Sequence, residues 1–317
     1  MLGIIILNYE TWDASIACIK SIVKSEIGEA YRIYLVDNAS RAKMPREMEA
    51  CMAQHQICCL RAEENRGYAS GNNIGIRQAL ADGCGYLLIT NNDIVYRRDT
   101  IQKMLAFIRS HPGVGIVGPK VVGADGGWQP SAVAVKTDMR HIFRLYTAAK
   151  VCFRKTWKKY FREQEDENAP AKVYHVSGCC FLMDRGTAEY LYPLDENTFL
   201  YNEELIIGIR LEEAGLTTYY VPDAVVRHEH GLSTGRVKPF MYQCISTSEI
   251  YYCKRYLRAP DWQVWLLMQY RKLLYRIRMR KDTALREYWE RYKRGVDESW
   301  RRWRGAGSHG NHKKNIR

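Results

Sequence analysis

Nowhere in the 317 residues does an apolar run approach the roughly 18 consecutive residues that a membrane-spanning helix needs, so an integral membrane protein is not expected. The N-terminus, Met1 to Leu7, is apolar. It lacks a basic leader and a small-residue cleavage pattern, and it runs straight into Asn8-Tyr9-Glu10, which reads as a buried strand rather than a signal peptide. C-x-x-C spacing is missing too. The ten cysteines include the adjacent pairs Cys58-Cys59 and Cys179-Cys180 in apolar runs, which read as reduced thiols packed as small hydrophobes, not as zinc ligands or a disulfide framework. Internal repeats and low-complexity tracts are absent. No RNA- or DNA-binding motif accompanies the basic residues, so nucleic acid is not an expected partner. Nor does a Gly-rich, Lys-bearing phosphate loop follow the first strand, where Asn8-Tyr9-Glu10-Thr11 stands instead; this argues against a nucleotidyltransferase.

What the chain does have is size, order and a lopsided charge. Its length exceeds the usual domain of about 100–150 residues, so one large domain with an appendage, or two domains, is expected. The net charge of +13 sits entirely in Lys254–Arg317, with 19 Lys and Arg against 6 Asp and Glu. Basicity therefore speaks of docking, not of the chemistry upstream. Through the first 120 residues short apolar runs (Leu2–Leu7, Tyr31–Val36, Ile57–Arg61, Gly85–Thr90, Val114–Val117) alternate with helical patterns at Trp12–Lys24, Pro45–Gln54, Ala69–Ala81 and Asp99–Ser110. That alternation predicts an α/β fold, a mostly parallel sheet flanked by crossover helices. Beyond Gly118 the pattern loosens, and Met139 to Phe161 reads as a basic-aromatic loop or lid. A single strand-like run at Tyr174–Met183, a helix at Glu203–Ala214 and a strand at Leu216–Val221 follow.

Three strands end in polar residues: Asn8-Tyr9, Asp37-Asn38 and Asn91-Asn92-Asp93. Ligands of open α/β sheets bind beyond the carboxyl ends of the strands, so these clusters should meet in one crevice. The loop Asn65–Gly75 offers glycines that let backbone amides approach a ligand and Arg66 as a phosphate donor; a Gly/Asn-rich helix cap is the plainer reading. Asp93, with flanking amides, suits an oxygen-coordinated Mg²⁺ or Mn²⁺, although Asn and Asp are ordinary turn formers as well.

Taken together and in order, these segments resemble the large inverting glycosyltransferase family 2, rhamnosyltransferase-like members included, with the Rossmann-like GT-A fold. The resemblance runs from Leu2 to Gly235. Besides the segments above it includes Val176–Met183, Tyr201-Asn202-Glu203-Glu204, and His228 with Ser233 in an H-x-x-G-x-S pattern. It implies that Asn8, Tyr9 and Asp37 hold base and ribose, that Arg66, Gly67 and Asn73 belong to the nucleotide clamp, and that Asn38, Asn92 and Asp93 also line the nucleotide site. Asp93 and Asn91 would hold a divalent metal, Mn or Mg, and His228 would complete the metal shell or contact the diphosphate. Glu204, with Glu203 beside it, takes the place of the catalytic base. Two departures stand out: Glu204 replaces the usual Asp, and Ile206 replaces a third acid. They keep open a second reading, a nucleotide-sugar-binding scaffold of a glycan-assembly complex, and a helix N-terminus capped by Asn202 explains the glutamates equally well.

The resemblance further implies a nucleoside-diphosphate sugar as donor and a growing, polyprenyl-linked bacterial glycan as acceptor. A catalytic domain over 1–238 is expected, its nucleotide half 1–120 and acceptor half 121–238, then a basic helical extension over 239–304 and a disordered tail over 305–317. In that extension Trp262, Trp265, Leu266, Tyr270, Leu273 and Ile277 fall on one helical stripe, with Arg271, Lys272, Arg276, Arg278 and Arg280 around it. Such a helix suits an anionic membrane surface; packing on the catalytic domain is the alternative. The expected location is cytoplasmic, peripheral at the inner membrane face, and a homodimer is left open.

Overall fold

A computed structural model describes residues 1–161, 168–229 and 238–304. The expected tail at 305–317 and the Gly231 and Ser233 positions of the H-x-x-G-x-S pattern lie outside the described residues. In chain order the elements are β1 (Leu2–Asn8), α1 (Trp12–Val23), β2 (Tyr31–Asp37), α2 (Arg46–His55), β3 (Cys58–Arg61), α3 (Tyr68–Ala81), β4 (Tyr86–Asn91), β5 (Ile94–Tyr96), α4 (Thr100–Ser110), β6 (Val114–Gly123), β7 (Trp128–Gln129) and β8 (Ala132–Val133). There follow α5 (Met139–Leu145), α6 (Arg154–Tyr160), β9 (Ala171–Val173), β10 (His175–Val176), β11 (Cys180–Asp184), α7 (Arg185–Leu191), α8 (Glu203–Glu213) and β12 (Thr217–His228). The chain closes with α9 (Lys238–Arg255), α10 (Asp261–Met279), α11 (Thr283–Glu287) and α12 (Trp289–Trp303). By contact these form two compact units, the first over Met1–Lys136, Phe153–Glu196 and Glu203–Arg236, the second over Thr137–Cys152, Asn197–Asn202 and Val237–Arg317.

In the first unit the sheet runs β3-β2-β1-β4-β11-β6-β12-β5. Strand β1 is buried on both faces, which is why it reads as a continuous apolar run. Ile4 and Ile6 pack into one core with Ile16, Ile19 and Ile22 of α1 and Ile101, Met104 and Leu105 of α4; Ile5 packs into the other with Ile76 and Ala79 of α3 and Ala188 and Leu191 of α7. Each such buried side chain contributes about 1.5–3 kcal/mol. Helix α3 lies unusually close to the sheet. A Cβ on Gly71 would come within 2.4 Å of Leu7 Cδ1, and one on Gly75 within 2.5 Å of Ile5 Cγ2. These two glycines thus let the helix sit close against the sheet.

Three expectations are corrected. Tyr174–Met183 is two strands in different sheets, because the chain turns at Gly178-Cys179. Strand β11 then starts beside the end of β4, with Cys180 opposite Thr90, and must run antiparallel to it. The strand expected to end at Val117 continues to Gly123, across Gly118 and Pro119, which punctuate the sequence without ending the ladder. The segment Met139–Phe161 is no loop: it holds α5, a 3₁₀ turn at Ala148–Val151, and α6. Asp138 caps α5 by accepting from His141 N at 2.9 Å, and Ile142, Leu145 and Tyr160 are buried.

The described residues of the second unit are largely helical. Tyr275 of α10 stacks on Tyr292 of α12, ring centroids 4.0 Å apart, and the Tyr292 hydroxyl meets Ser246 of α9 at 3.0 Å. Two cations expected at the surface are drawn inward by carboxylates. Arg271 donates to both oxygens of Glu249, at 2.6 and 2.7 Å, and buried Lys272 pairs with Asp297.

Candidate active site

Register brings the polar strand ends together. Asn8 lies opposite Asp37, and Leu7 opposite Asn91, so the ends of β1, β2 and β4 form one edge of a crevice. Asn8 is fully buried and acts as a hub. Its amide donates toward Asp37 Oδ1 and Ser40 Oγ, at 3.4 and 3.2 Å, and its carbonyl accepts from Ser15 and Asn92, at 2.9 and 3.1 Å. The Asn92 amide also reaches Thr11 Oγ1 at 2.8 Å, so Asn8 and Asn92 shape the crevice floor from within. Asn73 is likewise engaged: its amide donates to Leu194 O and Glu196 Oε1 and its carbonyl accepts from Leu194 N, fastening α3 to the loop after α7.

Asp37 is the buried anion of the floor. Arg61, at the end of β3 and directly opposite it in register, donates to Asp37 Oδ2 at 2.5 Å and to Ser40 O at 2.9 Å. The sequence reading did not select Arg61; its signal, a lone arginine ending a strand, has meaning only once β3 is seated beside β2. Asn38 donates to Asn65 Oδ1 and Gly67 O, holding the start of α3, while its own carbonyl oxygen is buried without a hydrogen bond. Tyr9 and Arg66 stand outward at the rim; Arg66 lies 3.6 Å from the equally exposed Glu64. Gly67, at φ +101°, is a position that favours glycine and sets the first turn of α3.

Beyond this floor the residues converge on the Gly178-Cys179 turn. The Tyr68 hydroxyl donates to Gly178 O at 2.5 Å, and Gly178 N donates to Glu204 Oε1 at 3.2 Å. Asn91 N donates to Cys179 O at 2.8 Å. Burial, with the nearby charges of Asp93 and Glu204, pushes the Cys179 thiol up to about 12. Burial also raises the Glu204 carboxyl above its ordinary 4.5, against the lowering effect of the backbone N–H groups of Glu204 and Gly178. The neighbouring Glu203 is buried. Glu204 also lines a small cavity with Ile116, His175, Val176, Phe181, Ile207 and Thr218. Burial depresses His175 there to about 4, and its Nε2 has no hydrogen-bond partner.

At the opposite rim β5 and β12 pair antiparallel, His228 opposite Ile94, which sets His228 Nε2 3.3 Å from Asp93 Oδ1. That oxygen is buried and accepts no hydrogen bond. No cluster of three or more His, Cys, Asp or Glu side chains that could hold a metal ion occurs among the described residues. A buried carboxylate beside an imidazole offers an oxygen and a nitrogen donor that would suit a divalent ion.

Residues 3–191 match the family described as "Glycosyl transferase family 2". The chain belongs to this family. An N-acetylglucosaminyl-diphospho-decaprenol L-rhamnosyltransferase of Mycobacterium tuberculosis is 28% identical over 212 residues, covering 64% of this chain and 68% of the relative. The low-salt glycan biosynthesis hexosyltransferase Agl10 of Haloferax volcanii is 23% identical over 227 residues, 71% of this chain and 66% of that one. Two solved structures share the GT-A fold of this family 2 glycosyltransferase. GalNAc-T7, solved with UDP, GalNAc and Mn²⁺, gives a TM-score of 0.56 at 15% identity over 80% of this chain, which spans 50% of its length. The mannosyltransferase PcManGT from Pyrobaculum calidifontis, in complex with GDP-Man and Mn²⁺, gives 0.55 at 14% identity, covering 97% and 84%.

Proposed function

We propose that this family 2 glycosyltransferase moves a sugar, with inversion, from a nucleoside-diphosphate sugar to a hydroxyl of a lipid-linked bacterial glycan at the cytoplasmic face of the membrane. The observation that carries this reading is the Gly178-Cys179 turn, whose N–H holds Glu204 at a helix N-terminus and whose carbonyl accepts from Asn91, two residues before Asp93 and its neighbour His228. The mycobacterial relative's name, with its diphospho-decaprenol acceptor, supports the lipid-linked class and a rhamnosyl donor. Free thiols at all ten cysteines agree with a reducing compartment.

In this mechanism Asp37, with Arg61 behind it, and Tyr9 face the nucleoside, and Gly67 and Arg66 the diphosphate. Asp93 and His228 would hold a divalent cation, which when bound supplies a Lewis acid to the leaving diphosphate. The acceptor oxygen forms its bond to the anomeric carbon as the bond to the diphosphate oxygen breaks and that oxygen keeps the electron pair. Glu204 Oε takes the hydroxyl proton. Burial suits Glu204 to this, because a carboxylate with a raised pKa is a stronger base. Its hydrogen bond from Gly178 N orients it. Ile206, where the family carries a third acid, is buried in the core, so Glu204 acts with Glu203 as its only acidic neighbour in the motif.

The test is transfer from candidate nucleotide sugars to a polyprenyl-diphospho-sugar in Mn²⁺, with Glu204→Gln alongside. The variant should bind nucleoside diphosphate as the parent does and lose about 10²–10⁴-fold in transfer. The base must be ionised, so kcat/KM of the parent should fall as pH drops through a pKa above 4.5, a limb the variant lacks. Full transfer by Glu204→Gln would move the base elsewhere; no transfer from any nucleotide sugar, with diphosphate still bound, would favour the scaffold reading.

A further inference from the structure

Helix α10 has one face turned into its unit and the opposite face open. Val264, Leu267, Met268, Lys272 and Tyr275 are buried. At 100° per residue, Trp262, Trp265, Leu266, Leu273 and Ile277 fall within a sector of about 120° on the other side, and all five are exposed, Trp262 by 65% and the others by 47–53%. The stripe is about 22 Å long. Tyr270, expected on it, is instead at its margin, its hydroxyl accepting from Ala148 N. Arg276 and Arg280 share the open sector at its C-terminal end, with Lys281 beside them, and all three are exposed. Arg276 lies over Trp289 and Arg278 over Tyr242, at 4.9 and 4.8 Å. From Trp262 to Lys281 the chain has no Asp or Glu.

A row of large apolar side chains on a soluble unit marks a surface that is covered in use. Charge decides by what. We infer that the open face of α10 docks on an anionic lipid bilayer, lying in the plane of the headgroups. Tryptophans and long aliphatic side chains enter the headgroup–acyl boundary, while Arg276, Arg280 and Lys281 meet lipid phosphates, to which guanidinium offers paired donors. A second copy of the chain would bring the same face, arginines included and no carboxylate to receive them. Insertion across the bilayer is not the mode, since no helix among the described residues is long and apolar enough to span it. The inference deepens the lipid-linked acceptor reading, on which its biological use rests, yet the surface is argued from α10 alone.

The experiment is co-sedimentation of the full chain with phosphatidylglycerol/phosphatidylcholine vesicles and with phosphatidylcholine alone, in 0.05 and 0.5 M NaCl, with no donor or acceptor present. Strong binding is expected only to the anionic vesicles at low salt, since attraction decays over the Debye length. Trp262→Ser/Trp265→Ser and, separately, Arg276→Glu/Arg280→Glu should each weaken binding by about tenfold or more. These side chains are exposed, so unchanged circular dichroism should accompany the loss. Equal binding to neutral vesicles, or binding untouched by both double variants, overturns the inference. So does a dimer by sedimentation velocity that the Trp variant dissociates, because the face would then belong to a second copy. The readout involves no transfer, so a failure here leaves the transferase reading intact, and a failed transfer assay leaves this one intact.

Discussion

His175 offers a test that separates burial from chemistry. Its imidazole sits among Ile116, Val176, Phe181 and Ile207, and burial holds it neutral down to about pH 4, against 6.5 in the unfolded chain. Between those values the unfolded state binds a proton that the folded state refuses, so stability is full above pH 6.5 and falls as the pH drops toward 4. At pH 5 the loss from this one group is about 2 kcal/mol, and its limit below pH 4 is about 3 kcal/mol. That is a large share of a typical 5–15 kcal/mol. His175→Phe keeps a ring in the apolar cavity, removes the titration and removes the unpartnered Nε2. Guanidinium denaturation at pH 8 and pH 5 should show the parent losing about 2 kcal/mol more than the variant on acidification, other groups cancelling in the difference. Identical pH dependence in the two proteins would mean that His175 is protonated in the folded state, and the neutral cavity beside Glu204 would be wrong.

Asp93→Ala should abolish the Mn²⁺ dependence of nucleoside-diphosphate binding, leaving one weak affinity by calorimetry with or without chelator; a parent that binds equally well in chelator would remove Asp93 and His228 as metal ligands. Gly71→Ala sets two effects against each other. Alanine improves helix propensity by about 1 kcal/mol, but its Cβ would lie 2.4 Å from Leu7 Cδ1 and 3.2 Å from Asn38 Nδ2, and overpacking typically costs about 1–3 kcal/mol. A net loss of stability by urea denaturation is expected, and a stabilised variant would show that α3 is free to lift from the sheet.

The first half of the sheet is legible in the chain because its strands are buried on both faces and separated by helices of one clear period: Ile16, Ile19 and Ile22 announce α1, and Ile101, Met104 and Leu105 announce α4. The polar ends Asn8, Asp37 and Asn91 are readable for the same reason, as the first interruptions of apolar runs. What the chain does not disclose depends on strand order. Arg61 matters only because β3 lies beside β2, and His175 only because β10 leaves the main sheet. Side-chain amides carry a second part that the chain does not announce: Asn8, Asn92 and Asn73, read as ligand contacts in one dimension, also tie strands, helix and loop together through hydrogen bonds within the protein. Helix α10 was legible in its stripe and not in its cations, two of which are claimed by carboxylates 22 and 25 residues away.

Gly178 is bonded from both sides by residues of opposite allegiance. Its carbonyl is held by Tyr68, on the first turn of the helix that fronts the strand ends, and its N–H holds the carboxylate of Glu204. Such a residue is a coupling pin: with no side chain to brace it and a Cβ's space already occupied by Glu204 Oε1 at 3.1 Å, it can tilt only by moving one partner or the other. A shift of Tyr68 toward an arriving ligand would therefore reach Glu204 through one Cα, the joint between the two peptide planes that carry these bonds, and the φ and ψ of Gly178 set how much of it arrives.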